Sequence, residues 1–214
     1  LDPKQAEAYV GLADVYIQQE DYEQALVVLQ EGAENTEDEE SIQSKLLEVE
    51  QLIQQHNAEM ASQALMSKVQ ELENSLGYID AANYTSDKTG ISSYVFCDVD
   101  ADGMEELLVT YMAGQFSGEM DGCEIWTDLY DFQNDETVQI ASQQIGNVEY
   151  CDAMTIRLFF SEQQAAFYIV TNKELVGAYT GAREFVSELY KVSVNGIELR
   201  RHWMQNSIEN FDDP

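Results

Sequence analysis

Residues 94–111 read YVFCDVDADGMEELLVTY, and how this stretch folds decides the class of everything around it. The flanking YVFC and LLVTY are rich in β-branched and aromatic residues and too short for helices, so both are expected to be strands. Between them Asp98, Asp100 and Asp102 alternate, Gly103 follows, and Glu106 closes the series. Alternating carboxylates around a glycine-permitted sharp turn supply several hard oxygens from one short segment, which is what Ca²⁺ requires. The expected metal ligands are Asp98, Asp100, Asp102, the Met104 carbonyl and Glu106. The competing reading is an acidic β-turn in which Asp and Gly serve turn conformation alone. Four carboxylates in register would then repel one another without compensation, which favours the cation.

An EF-hand needs a bidentate glutamate at the twelfth loop position, and that position is Val109, inside an apolar run. The spacing instead resembles the strand-loop-strand DxDxDGxx[DE]L sites of FG-GAP and VCBS repeats. A propeller is not implied, since one such loop is too few for four or more blades.

Downstream, short β-rich runs recur: ISSYVFC, ELLVTYM, CEIWTDLYDF, TVQIAS, MTIRLFF, AAFYIV, LVGAYT, FVSELYKVSV and IELRRHW. They predict an antiparallel system of about eight or nine strands. Asn195-Gly196 reads as a type I′ hairpin turn. Residues 57–214 are thus expected to form one β-rich domain led by a helix, whose apolar positions include Met60, Leu65, Val69, Leu72 and Leu76 before Gly77 stops it.

Residues 1–56 have the helical period. Ala8, Tyr9, Leu12, Ala13 and Tyr16 form one apolar set; Tyr22, Ala25, Leu26 and Leu29 form a second, across the polar break QQED. AYVGLADVYIQQEDYEQALVVLQEGA, residues 8–33, resembles a tetratricopeptide repeat (TPR), with departures at Glu20 in place of glycine and Gly32 in place of alanine. One repeat cannot bury its own apolar face, so a third helix capped by Ser41, with Ile42, Leu46, Val49, Leu52 and Ile53 in a stripe, is expected to cover it. The opening Leu-Asp-Pro looks like the end of a preceding repeat, and the face around Tyr9, Leu12 and Tyr16 is expected to want a neighbour. The fold class is α+β: N-terminal antiparallel helices, then the antiparallel β domain.

Forty-one acidic residues against ten basic ones give a net charge of −31, which opposes phosphate backbones and anionic lipid surfaces. Neither nucleic acid binding nor direct membrane insertion is expected, and bound divalent cations would relieve the self-repulsion. Cys97, Cys123 and Cys151 lack CxxC spacing; buried thiols are the plain reading, while Cys97 and Cys123 are expected on neighbouring strands, where an oxidising compartment would allow a disulfide between them.

An enzyme would need a nucleophile and base, yet the two histidines, His56 and His202, stand in no GxSxG-like context. Carboxylates remain. Glu119, Asp121 and Glu124 beside Trp126 are the candidates for a carbohydrate-active or glycan-binding site, although such clusters arise by chance in so acidic a chain. The expectation is no catalytic activity, and a protein partner held through the helical segment.

The order YVFCDVDADGMEELLV, RLFF, AAFYIV and GAREFVSELYKVSVNGIEL resembles a domain of surface and secreted proteins from Gram-positive gut bacteria. That resemblance implies an extracellular or cell-surface location, with anchoring outside this segment, and calcium as ligand. It implies no substrate.

Overall fold

The computed structural model describes residues 6–36, 39–79, 89–115, 122–147, 151–176 and 183–207. Three helices come first: α1 (Ala6–Gln18), α2 (Tyr22–Asn35) and α3 (Glu39–Leu76). Eight strands follow: β1 (Gly90–Cys97), β2 (Glu106–Gln115), β3 (Gly122–Gln133), β4 (Glu136–Asn147), β5 (Cys151–Ser161), β6 (Ala166–Val176), β7 (Arg183–Ser193) and β8 (Gly196–Ser207). The expected α+β architecture is present. The chain divides into two compact units, Leu1–Met60 and Ala61–Pro214, with the boundary inside α3.

In the first unit the periodic small and apolar residues form one core: Tyr9, Ala13, Ala25, Val28, Leu29, Ile42 and Val49. Asp21 caps α2 by accepting the Gln24 N–H at 3.2 Å, satisfying one of the free donors of the first turn. Both departures from the repeat pattern have visible consequences. Glu20 sits at φ 60°, the left-handed conformation that glycine adopts without strain. At Gly32 an added Cβ would lie 2.8 Å from Tyr9 Cγ and 3.0 Å from Ile42 Cδ1, so the missing methyl is what lets Tyr9 seat against α2. Tyr9 is therefore buried within its own unit, and Leu12 and Tyr16 are half-buried there, where an uncovered face was expected. Helix α3 also begins before Ser41, which lies inside it and is not its cap.

The second unit has three layers. Strands β1-β2-β3-β4 form one antiparallel sheet and β5-β6-β7-β8 another. Alternation along β2 explains the layering: Leu107 and Val109 join Leu65 and Val69 of α3, while Leu108 and Met112 join Ile125, Leu129, Ile169, Tyr190 and Val192 between the sheets. Thr110 and Thr127 are directly opposed across β2 and β3, their hydroxyls 3.1 Å apart in a buried hydrogen bond. On the α3 side, buried Asp128 accepts Ser142 Oγ at 2.6 Å and Tyr130 Oη at 3.2 Å, and Lys68 Nζ lies 5.4 Å from the Tyr130 ring centre.

Two turn details differ from expectation. The β7–β8 hairpin forms, but Ser193 pairs with Gly196, so Val194 and Asn195 make the loop and Asn195 has no positive φ. The turn with two left-handed residues is Asn134-Asp135, at φ 51° and 64° between paired Gln133 and Glu136. Of the run LVGAYT, Leu175 and Val176 end β6 and the rest lies outside the described residues.

Candidate metal centre

The acidic stretch is the tip of the β1–β2 hairpin. Cys97 pairs with Glu106 at its base, and everything between is loop. Val99 turns into the core between the sheets, which leaves Asp98 and Asp100 on either side of it free to converge above. One carboxylate oxygen from each of Asp98, Asp100 and Glu106 can be chosen so that all lie within 4.8 Å of one another.

Local hydrogen bonds shape the loop. Asp98 accepts the N–H of Ala101 at 2.7 Å and of Gly103 at 3.1 Å; Asp100 accepts that of Asp102 at 3.2 Å. Left-handed Ala101 (φ 64°) and Gly103 (φ 91°) provide the sharp reversal. Asp102 stands outside the three-carboxylate group, its Oδ1 accepting the Met104 N–H at 2.8 Å. Two of the five expected ligands are thus not gathered with the others by side-chain position: Asp102, and Met104, which would act through its carbonyl.

Glu106 differs from its partners in being only 2% exposed. Its Oε2 accepts the Val99 N–H at 2.7 Å, which stabilises the charged form. Burial outweighs that hydrogen bond and, helped by the fields of Asp100, Asp131 and Asp102, pushes its pKa up to about 7. The Asp100 carboxyl is also raised, by desolvation first and then by Asp102. Asp131 was not singled out in the sequence. The pairing of Leu107 with Tyr130 brings the next β3 residue beside the loop end of β2, a neighbourhood that only the strand register reveals.

These residues fit a hard divalent ion. Among the described residues none of the three carboxylates is in an ion pair, and one is buried with a single N–H as partner. A bound cation would supply the charge and ligation that the site lacks. Cys97, next to the site, is a buried free thiol whose pKa burial and then Glu106 push up to about 12. It is not on a strand neighbouring that of Cys123: β2 intervenes, and the two cysteines pair with opposite ends of it, Glu106 and Gly114.

The carbohydrate candidates are less assembled. Glu119 and Asp121 lie outside the described residues, and Glu124 accepts the Trp126 Nε1–H at 3.0 Å, which occupies the indole's only donor. His56 rests against Tyr22 with ring centres 5.5 Å apart in the first unit, and His202 of the second lies 3.1 Å from Glu188. No described helix is long and apolar enough to cross a membrane.

Residues 1–48 of the 214 match the family model of the tetratricopeptide repeat, in agreement with the helical hairpin and its buried small residues. No curated protein and no solved structure matches the chain.

Proposed function

We propose that this chain is a non-enzymatic protein-contact module working outside the cell, with a TPR-like helical unit as the contact element and a β unit stiffened by Ca²⁺ at Asp98, Asp100 and Glu106. The observation that carries the reading is buried Glu106, a carboxylate held with two others and in no ion pair among the described residues. Tetratricopeptide repeats commonly mediate contacts between proteins, which gives the helical unit its role. Asp102 and the Met104 carbonyl complete the ligand set on this reading, and water fills what remains of the six to eight positions.

An extracellular site of this type binds with a dissociation constant on the order of 10⁻⁴ to 10⁻³ M, suited to a calcium-rich exterior and too weak for a cytosolic sensor. Calorimetric titration of the whole chain with calcium should show a single site in that range, and magnesium should give little heat because it sheds water reluctantly. Absence of binding heat at millimolar calcium would reduce the loop to an acidic turn. Turnover of glycosides or peptides, lost on changing Glu124 to glutamine, would overturn the non-enzymatic part.

A further inference from the structure

The second sheet ends in an unusual strand. Among the described residues β8 hydrogen-bonds with β7 alone and comes near β4 of the first sheet, while its residues from Glu198 to Gln205 are all exposed. Leu199, Trp203 and Met204 are 51%, 47% and 57% accessible. A long exposed edge strand with large apolar side chains is a template for pairing, which natural proteins otherwise blunt or cover.

Charge makes the face next to this edge more specific. Strand register places Arg157, Val170, Leu189 and Arg201 in one row across the outer face, with Phe159, Tyr168, Lys191 and Glu198 in the adjacent row. A concavity of about 540 Å³ opens here, floored by Phe159, Tyr168 and Leu189 and rimmed by Lys191, Arg200 and Arg201. Phe159 and Tyr168 stack at 5.4 Å, and Phe159 stays 43% exposed. Elsewhere Lys45, Lys68 and Arg183 are in ion pairs, and here Arg200 is held by Glu198. Arg157, Lys191 and Arg201 have no ion pair among the described residues, although the chain has 41 carboxylates to ten bases. Lys173, the other unpaired described base, falls on the opposite face by alternation.

We propose that β8, with Arg201 on it and Lys191 on the adjacent β7, takes an extended acidic segment of a partner polypeptide, added to the sheet as a fifth strand. An edge strand offers backbone donors and acceptors at strand spacing, which a peptide matches and a glycan does not. The unpaired Arg201 and, one strand further in, Lys191 lie within side-chain reach of such a strand and bind its carboxylates, whereas Arg157 and Phe159 stand on the far edge strand β5. A second copy of the chain is disfavoured because each molecule carries −31.

The test uses the whole chain and a short synthetic peptide alternating valine and glutamate, titrated by calorimetry at physiological salt, with β8 amide exchange followed in parallel. Binding with slowed exchange along β8 is expected. R201E should weaken it about fivefold and K191E together with R201E more than tenfold, whereas R157E, on the far edge strand, should leave binding unchanged; melting temperature should stay the same in R157E and R201E, whose side chains are exposed. A peptide N-methylated at alternate residues should lose binding. The proposal is overturned if the valine–glutamate peptide does not bind at millimolar concentration, or if a valine–lysine peptide or the N-methylated one binds as well. Sedimentation showing dimers through β8, or tighter binding of polygalacturonate at Arg201 and Lys191, would replace it with a second copy or an anionic glycan.

Discussion

Glu106 shows how a single side chain links the loop to the core. It stands one step from Leu107 in β2, with Val99 beneath it, so its charge cannot reach water without opening the end of the β unit. Glu106→Gln keeps the acceptor for the Val99 N–H and removes the buried charge. In chelator the variant should be more stable than the parent by about 1 kcal/mol, and its melting temperature should no longer respond to calcium. A variant that is less stable in chelator and still calcium-responsive would show that the carboxylate is not the ligand. Tyrosines report on the layers in the same way. Burial, with Asp128 as neighbour, pushes Tyr111 up to about 12 and raises Tyr130, and burial with Glu188 raises Tyr190. These acids hold their protons more tightly folded than unfolded, so the stability they contribute is complete below pH about 10 and is lost as the pH climbs beyond it. Spectrophotometric titration should find them ionising after the exposed tyrosines, together with alkaline unfolding. A single transition of all twelve tyrosines near pH 10 would contradict their burial.

Among the elements, the helical hairpin tests whether departures from a repeat pattern are tolerated or required. Gly32→Ala gains about 1 kcal/mol of helix propensity, but the new methyl meets Tyr9 at its ring root, which cannot swing away. Overpacking should prevail, and the first unit should lose about 1 kcal/mol net in denaturant unfolding. A stabilised variant would mean that Tyr9 is not seated against α2. Glu20→Gly should act in the opposite sense, relieving left-handed strain worth roughly 1 kcal/mol, and an unchanged or lowered denaturation midpoint would argue against that strain. In the β unit, Leu65→Ala should cost about 2–5 kcal/mol because the site is fully buried between α3 and the first sheet. Much of this was legible beforehand. Helical period, strand runs and the spacing of Asp98, Asp100 and Glu106 are local signals, and local signals survive folding. Turn chemistry was less legible: Asn195-Gly196 marks its hairpin, but the left-handed pair is Asn134-Asp135, whose strands set the register. Asp131 and the β2 strand between the two cysteines depend on which strands neighbour one another, and no period along the chain encodes that.

For the molecule as a whole, a charge of −31 means self-repulsion that bound cations would relieve. The few bases are mostly used in ion pairs or gathered on the outer face of the second sheet, while three carboxylates meet at the tip of the first. Calcium at that tip would lower the charge, join the β1–β2 loop to the core through Glu106, and leave the helical unit unaffected except through ionic strength. The most direct measurement is thermal unfolding of the whole chain, followed by probes of each unit, in chelator and in calcium at ~10-fold excess over its dissociation constant. Linkage then predicts about 1.4 kcal/mol of added stability in the β unit alone, absent in Asp100→Asn and not reproduced by magnesium. Equal melting of the β unit with calcium, magnesium and chelator would contradict calcium at this loop.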